Sequence, residues 1–110
     1  MTPSPLDHAL AALADPTRRA IVERLARSPS RVTDVAAPFA MSLNAVSKHV
    51  KVLEQAGLVR RYRRGREHLL VLEPAPLREV ARWAEHHERF WNDRLDRLER
   101  FLEDEKKERP

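Results

Sequence analysis

Between Ser42 and Leu53 the chain carries Asn44, Ser47, Lys48 and Lys51 and no carboxylate, and Glu54 is the first acidic residue of that stretch. In a helix these positions stand at i, i+3, i+4 and i+7, which gathers them on the face opposite Val46, Val50 and Leu53. An asparagine can pair with an adenine edge through two hydrogen bonds, a serine can bond a base edge or a phosphate, and a lysine can reach guanine or the backbone. Such a face suits a duplex groove. A polar helix face in water is the competing account, but such faces usually mix the two signs of charge. Ser42 and Ala45 begin the same helix and are counted with the candidate contacts. His49 falls between the exposed and buried faces, so a packed histidine with one hydrogen bond and a histidine touching a phosphate both stay open; it too is counted as a contact.

The second cluster is denser. Arg60, Arg61, Arg63, Arg64 and Arg66 lie within seven residues around Gly65. In strands they alternate between the two faces of a narrow ribbon, whose tip can reach backbone or minor groove without burying the arginine stems. An edge hairpin guarded by charge would be served as well by Glu and Lys of mixed sign, so five arginines favour nucleic acid. Arg18 and Arg19 stand at the first turn of another helix beside Thr17, where they could brace a phosphate together with the helix N-terminus; solvated surface or a salt bridge to the last helix is as good a reading of both.

Charge placement agrees with this. Of the formal net charge of +4, residues 1–57 hold +2, residues 58–72 hold +4 and residues 73–110 hold −2. A fifteen-residue segment therefore carries a field suited to phosphates, while the C-terminal third would be repelled by them.

The elements that must position these groups follow from caps and periodicity. Met1 to Ser4 is expected to lack structure. Leu6, Leu10 and Leu13 repeat at helical spacing, and Asp15-Pro16 stops that helix and caps the next, which runs from Pro16 to Arg27 with Ile21, Val22 and Leu25 inward. A brief helix from Thr33 to Ala40 is interrupted by Pro38. Ser42 then caps a helix from Leu43 to Ala56 with Leu43, Val46, Val50 and Leu53 as its buried stripe, and Gly57 ends it. Two short helices about a Met41-Ser42 turn make a helix-turn-helix. Leu58 to Arg63 and Glu67 to Leu72 read as a β-hairpin with Val59, Tyr62, Leu70 and Leu72 available to the core. Pro74 and Pro76 open a last helix from Leu77 to Asp104, about 28 residues or 42 Å, followed by a frayed Lys106 to Pro110.

On that last helix Val80, Ala84, His87, Trp91, Leu95, Leu98 and Leu102 recur at spacings of four and three, with Trp83, Phe90 and Phe101 on the flank. So long an apolar face exceeds what the preceding residues can cover, and a homodimer is the economical solution, with Leu6, Leu10 and Leu13 able to join the interface. His86 and His87 are adjacent and point about 100° apart, so they cannot chelate one ion; no metal site is supported. His87 falls on the apolar stripe and His86 on the polar face.

The sequence of 110 residues and 12.8 kDa implies one domain. It has no cysteine and only two glycines, and no phosphate loop, nucleophile elbow or H-E-x-x-H motif, so neither a catalytic constellation nor a cofactor is expected. Without an apolar run of membrane-spanning length or a signal core, a soluble cytoplasmic protein is expected.

Taken together, Ala14-Asp15-Pro16-Thr17-Arg18-Arg19, the run Met41 to Val59 with Ser47, His49, Leu53, Gly57, Leu58 and Val59 in register, and the tip Arg63-Arg64-Gly65-Arg66-Glu67-His68 resemble the ArsR-type winged helix-turn-helix regulators over about residues 6–102. The resemblance implies a mainly α fold of five helices with a two-stranded wing, a homodimer joined by the first and last helices, Leu43 to Ala56 as recognition helix and Gly65 at the wing tip. It further implies a repressor at a pseudo-palindromic operator overlapping its own promoter, released by a small-molecule inducer. Metal-sensing members hold their ion on cysteines near the third helix or on paired His and Asp ligands of the last helix, and this chain has neither pattern. Two other functions compete: a protein-interaction module built on the long helix, and a metal-responsive repressor using His86 or His87.

Overall fold

The computed structural model describes residues 2–108, in the order α1 (Pro5–Leu13), α2 (Pro16–Arg27), β1 (Ser30–Arg31), α3 (Val32–Ala36), α4 (Leu43–Gln55), β2 (Val59–Arg64), β3 (Glu67–Leu72) and α5 (Pro74–Glu108). Side-chain oxygens start α1, α2 and α4 by accepting the first free backbone N–H groups. The Ser4 hydroxyl takes the Asp7 N–H at 3.2 Å while the Asp7 carboxylate takes the Ser4 N–H at 2.8 Å, a reciprocal capping box. Asp15 accepts from the Arg18 N–H at 3.0 Å, and Ser42 from the Ala45 N–H at 3.1 Å. Ser4 is therefore an ordered cap and not part of a structureless start; Met1 lies outside the described residues.

The end of α4 closes with two bonds, Gly57 N–H to Glu54 O and Leu58 N–H to Leu53 O, each 3.0 Å. This Schellman closure needs a left-handed residue after the helix, and Gly57 supplies φ of +76°. Its accompanying hydrophobic pair, Leu53 and Leu58, is fully buried. At the hairpin, Arg64 pairs with Glu67, leaving Gly65-Arg66 as a two-residue loop with φ of +64° at Gly65, the first loop position that a II′ turn reserves for glycine.

Two compact units divide the chain after Val80. In the first, Ala9, Ala12, Ile21, Val22, Leu25, Val35, Val46, Val50, Leu53, Leu58, Val59 and Leu70 form one core, with Leu13, Phe39, Leu72, Leu77 and Val80 packed against it. A three-stranded antiparallel sheet in the order β1-β3-β2 closes one side. The second unit, from Ala81, is the remainder of α5; no residue of α5 is fully buried.

Several expectations are corrected. The brief helix covers Val32–Ala36 and not Thr33 to Ala40, because Pro38 has no N–H to return to the Asp34 carbonyl. β1 was not anticipated; Ser30 pairs with Leu70 and Arg31 with Leu69. Tyr62 does not face the core but is 46% exposed, since the register puts it opposite Leu69 on the face turned from Val59 and Leu70. Leu43 is 50% exposed and leaves the buried stripe to Val46, Val50 and Leu53. On α1 the small Ala9 and Ala12 enter the core, and Leu6, Leu10 and Leu13 stay half-buried. The last helix begins at Pro74, whose missing N–H costs nothing in a first turn, and continues through Lys106 to Glu108 where fraying was expected; Arg109 and Pro110 lie outside the described residues.

Candidate nucleic-acid interface

Because Val46, Val50 and Leu53 anchor α4 in the core, its rotation about its own axis is fixed and the other face must look outward. Asn44, Lys48 and Lys51 are exposed, with Ser47 and Ala45 half-buried at the margin. The Ser42 hydroxyl oxygen is engaged as the cap, which leaves its hydrogen free to donate. The next carboxylate, Glu54, is neutralised by Arg61 of β2, with Nη2 to Oε1 at 2.8 Å. This ion pair ties the wing to the far end of α4 and pairs the carboxylate that follows the exposed face of that helix.

The ladder fixes where each arginine lies. Val59, Arg61 and Arg63 share a face with Leu72, Leu70 and His68, while Arg60, Tyr62 and Arg64 share the other with Val71, Leu69 and Glu67. Arg60 donates to the Tyr62 hydroxyl at 3.1 Å and stands 3.7 Å from Glu73. The Tyr62 contact first, and Glu73 after it, raise its pKa further above the ordinary value. Arg63 Nε reaches the Gly65 carbonyl at 3.3 Å. The side chains of Arg64 and Arg66, at the tip, make no hydrogen bond or ion pair among the described residues. Arg31, by contrast, is held by Asp34 at 3.3 Å and Glu67 at 3.1 Å, with Asp34 the larger cause of its raised pKa.

Arg18 and Arg19 both turn their guanidinium groups to the end of α1. Arg18 Nε donates to Ala12 O at 2.6 Å and Nη2 to Ala11 O at 3.3 Å; Arg19 Nη1 donates to Leu13 O at 2.8 Å and Ala14 O at 3.0 Å. Both guanidinium groups satisfy carbonyls left open where α1 ends. Arg18 Nη1 also lies 3.4 Å from His49 Nδ1, which is 3.9 Å from the Asp15 carboxylate. His49 is thus a half-buried link between α4 and the start of α2, the packed reading of that residue. The backbone N–H of Arg18 is the main reason the Asp15 carboxyl lies below its usual pKa, with His49 and the Arg18 charge adding to it.

Sequence reasoning missed Leu43 as an exposed residue. Its wheel position groups it with Val46 and Val50, but a first-turn side chain leans toward the helix N-terminus and past its own helix. In the second unit Trp83 and His87 rings stand 4.8 Å apart, and His87 is half-buried while His86 is exposed. Among the described residues no three His, Asp or Glu side chains are grouped to hold an ion.

A helix-turn-helix domain family matches residues 13–62. The chain is 40% identical over 99 residues to the HTH-type transcriptional regulator Rv2034 of Mycobacterium tuberculosis (strain ATCC 25618 / H37Rv), covering 90% of each. It is 28% identical over 78 residues to the transcriptional repressor SdpR of Bacillus subtilis (strain 168), covering 71% of this chain and 87% of the repressor. Its fold is similar to the crystal structure of an ArsR family transcriptional regulator, with a TM-score of 0.74 and 37% identity over 81% of this chain and 98% of that one.

Proposed function

The chain belongs to the ArsR family of winged helix-turn-helix transcriptional regulators, and from that premise we propose that it works as a homodimeric, sequence-specific repressor at an operator in its own promoter. The family is one of DNA-binding regulators and not of enzymes. The observation that carries the proposal is the pairing of a carboxylate-free recognition face, Asn44, Ser47, Lys48 and Lys51, with a wing tip whose Arg64 and Arg66 make no ion pair among the described residues. Ser42, Ala45 and His49 flank that face, and Arg60, Arg61 and Arg63 line the ribbon behind the tip. Arg18 and Arg19 support the site by closing α1.

The second copy is supported by what one copy leaves uncovered. Trp83, Phe90, Trp91, Leu95, Leu98, Phe101 and Leu102 are 44–62% exposed on α5, a larger apolar stripe than a lone soluble chain ordinarily presents. In a chain read as one 1–110 domain, the proposed dimerisation elements are residues 77–104 and, on α1, Leu6, Leu10 and Leu13. A two-fold pair places recognition helices on half-sites about 34–36 Å apart. Repression is the role named for the Bacillus subtilis relative, the cytoplasm is where such DNA lies, and a small-molecule inducer rests on the family resemblance alone.

The test is the variant Asn44→Ala, Ser47→Ala, Lys48→Ala assayed on the protein's own upstream region. The wild type is expected to protect a dyad-symmetric footprint, and the folded variant to lose it. A folded variant that still represses in cells would refute groove reading by α4 and favour an interaction module built on α5.

A further inference from the structure

Leu43 is the first residue of α4, and half of its side chain stays in water although the same helix buries Val46, Val50 and Leu53 completely. No other large aliphatic residue begins this helix; beside Leu43 is Asn44, and one turn on is Ser47, both on the surface read above as meeting base edges. N-terminal residues of a recognition helix are the ones that approach bases most closely. Among base edges in the major groove, only thymine presents an apolar group, its 5-methyl, which aliphatic side chains read by contact. Leucine has no donor or acceptor, so it distinguishes bases only through that methyl and through exclusion of polar edges. We propose that Leu43 is a specificity-determining residue that packs against a thymine methyl in each half-site of the operator. The inference rests on the DNA-binding reading of α4 and adds a chemical requirement to it: an A·T pair, oriented with its thymine toward Leu43, at one fixed position in each half-site.

Uracil tests this without altering the protein, since deoxyuridine keeps every pairing and groove hydrogen-bonding group of thymidine and lacks only the methyl. Duplexes carrying the protein's own upstream region, with each thymidine of the protected half-sites replaced in turn, are titrated by fluorescence anisotropy. One buried methyl is worth about 0.8 kcal/mol, or about fourfold in affinity. Replacement at the Leu43 position in both half-sites of the dimer is therefore expected to weaken wild-type binding about fifteenfold, and Leu43→Ala is expected to bind both duplexes alike. Indifference of the wild type to uracil at every position would overturn the inference, as would a Leu43→Ala variant that discriminates thymine from uracil as the wild type does. Failure of the wild type to bind the unmodified duplex is a different result: it would overturn the DNA-binding reading itself and the inference with it.

Discussion

Arg64 and Arg66 offer the sharpest quantitative test, because the structure separates them from Arg31, Arg60 and Arg61, each of which meets a carboxylate. Arg31 is clasped by Asp34 and Glu67, Arg61 by Glu54, and Arg60 by Tyr62 and Glu73; the two tip residues have no such partner among the described residues. A cation already paired inside the protein displaces few counterions from DNA, whereas an unpaired one that meets a phosphate releases about 0.9 of a counterion. In a dimer, replacing Arg64 by alanine removes two phosphate contacts and should reduce the slope of log K against log salt by about 1.8, and replacing both tip arginines should reduce it by about 3.6. Between 50 and 200 mM salt a slope change of 1.8 makes the wild-type advantage shrink about twelvefold. Anisotropy titrations of the operator duplex at four or five salt concentrations read this directly. Arg31→Ala is the control and should leave the slope unchanged. Unchanged slopes for both tip variants, with affinity intact, would refute the assignment of the wing to the phosphate backbone.

The remaining expectations concern what holds the interface in place. Leu53 is fully buried and joins α4 to the Schellman closure with Leu58, so Leu53→Ala should lower stability by about 2–5 kcal/mol in urea unfolding; a loss below 1 kcal/mol would contradict that packing. The Arg18 N–H holds the Asp15 carboxyl below the usual carboxylate pKa, so its contribution is complete above the usual value and is lost as pH falls through the lower, folded one. Asp15→Asn should accordingly flatten the fall in stability below about pH 4, measured by circular dichroism, and an unaltered acid profile would speak against the Arg18 contact. Leu95→Glu with Leu98→Glu should convert the dimer to monomer in sedimentation and weaken operator binding; a dimer surviving both charges would move the interface elsewhere.

Helix existence and the exposed, carboxylate-free face of α4 were legible in the residues because both rest on local chemistry. Pro16 after Asp15, Ser42 three residues before Ala45, and Gly57 after Ala56 set the ends of α2 and α4 through caps that act within a turn. The lack of acid before Glu54 and the arginines around Gly65 needed no fold to be seen. Tertiary contact decided what local pattern leaves open. β1 is two residues long and exists only because β3 has a free edge for it, so no periodicity announces it. Periodicity grouped Leu43 with Val46 and Val50, but burial depends on what lies across from a residue, and at the start of α4 Leu43 is left half in water. For Arg18 and Arg19 the sequence left a phosphate brace, solvated surface and a salt bridge to the last helix open, because it shows charge and not partners; the carbonyls at the end of α1 came into reach only through the turn at Ala14 and Asp15. Sequence alone thus set the capped ends of α2 and α4 and the sign of charge on the exposed face of α4 and on the wing, since caps and charge are properties of neighbours in the chain. Which cations stay unpaired for a ligand, and which apolar side chains remain in water, were settled by packing, because both depend on residues far apart in the chain.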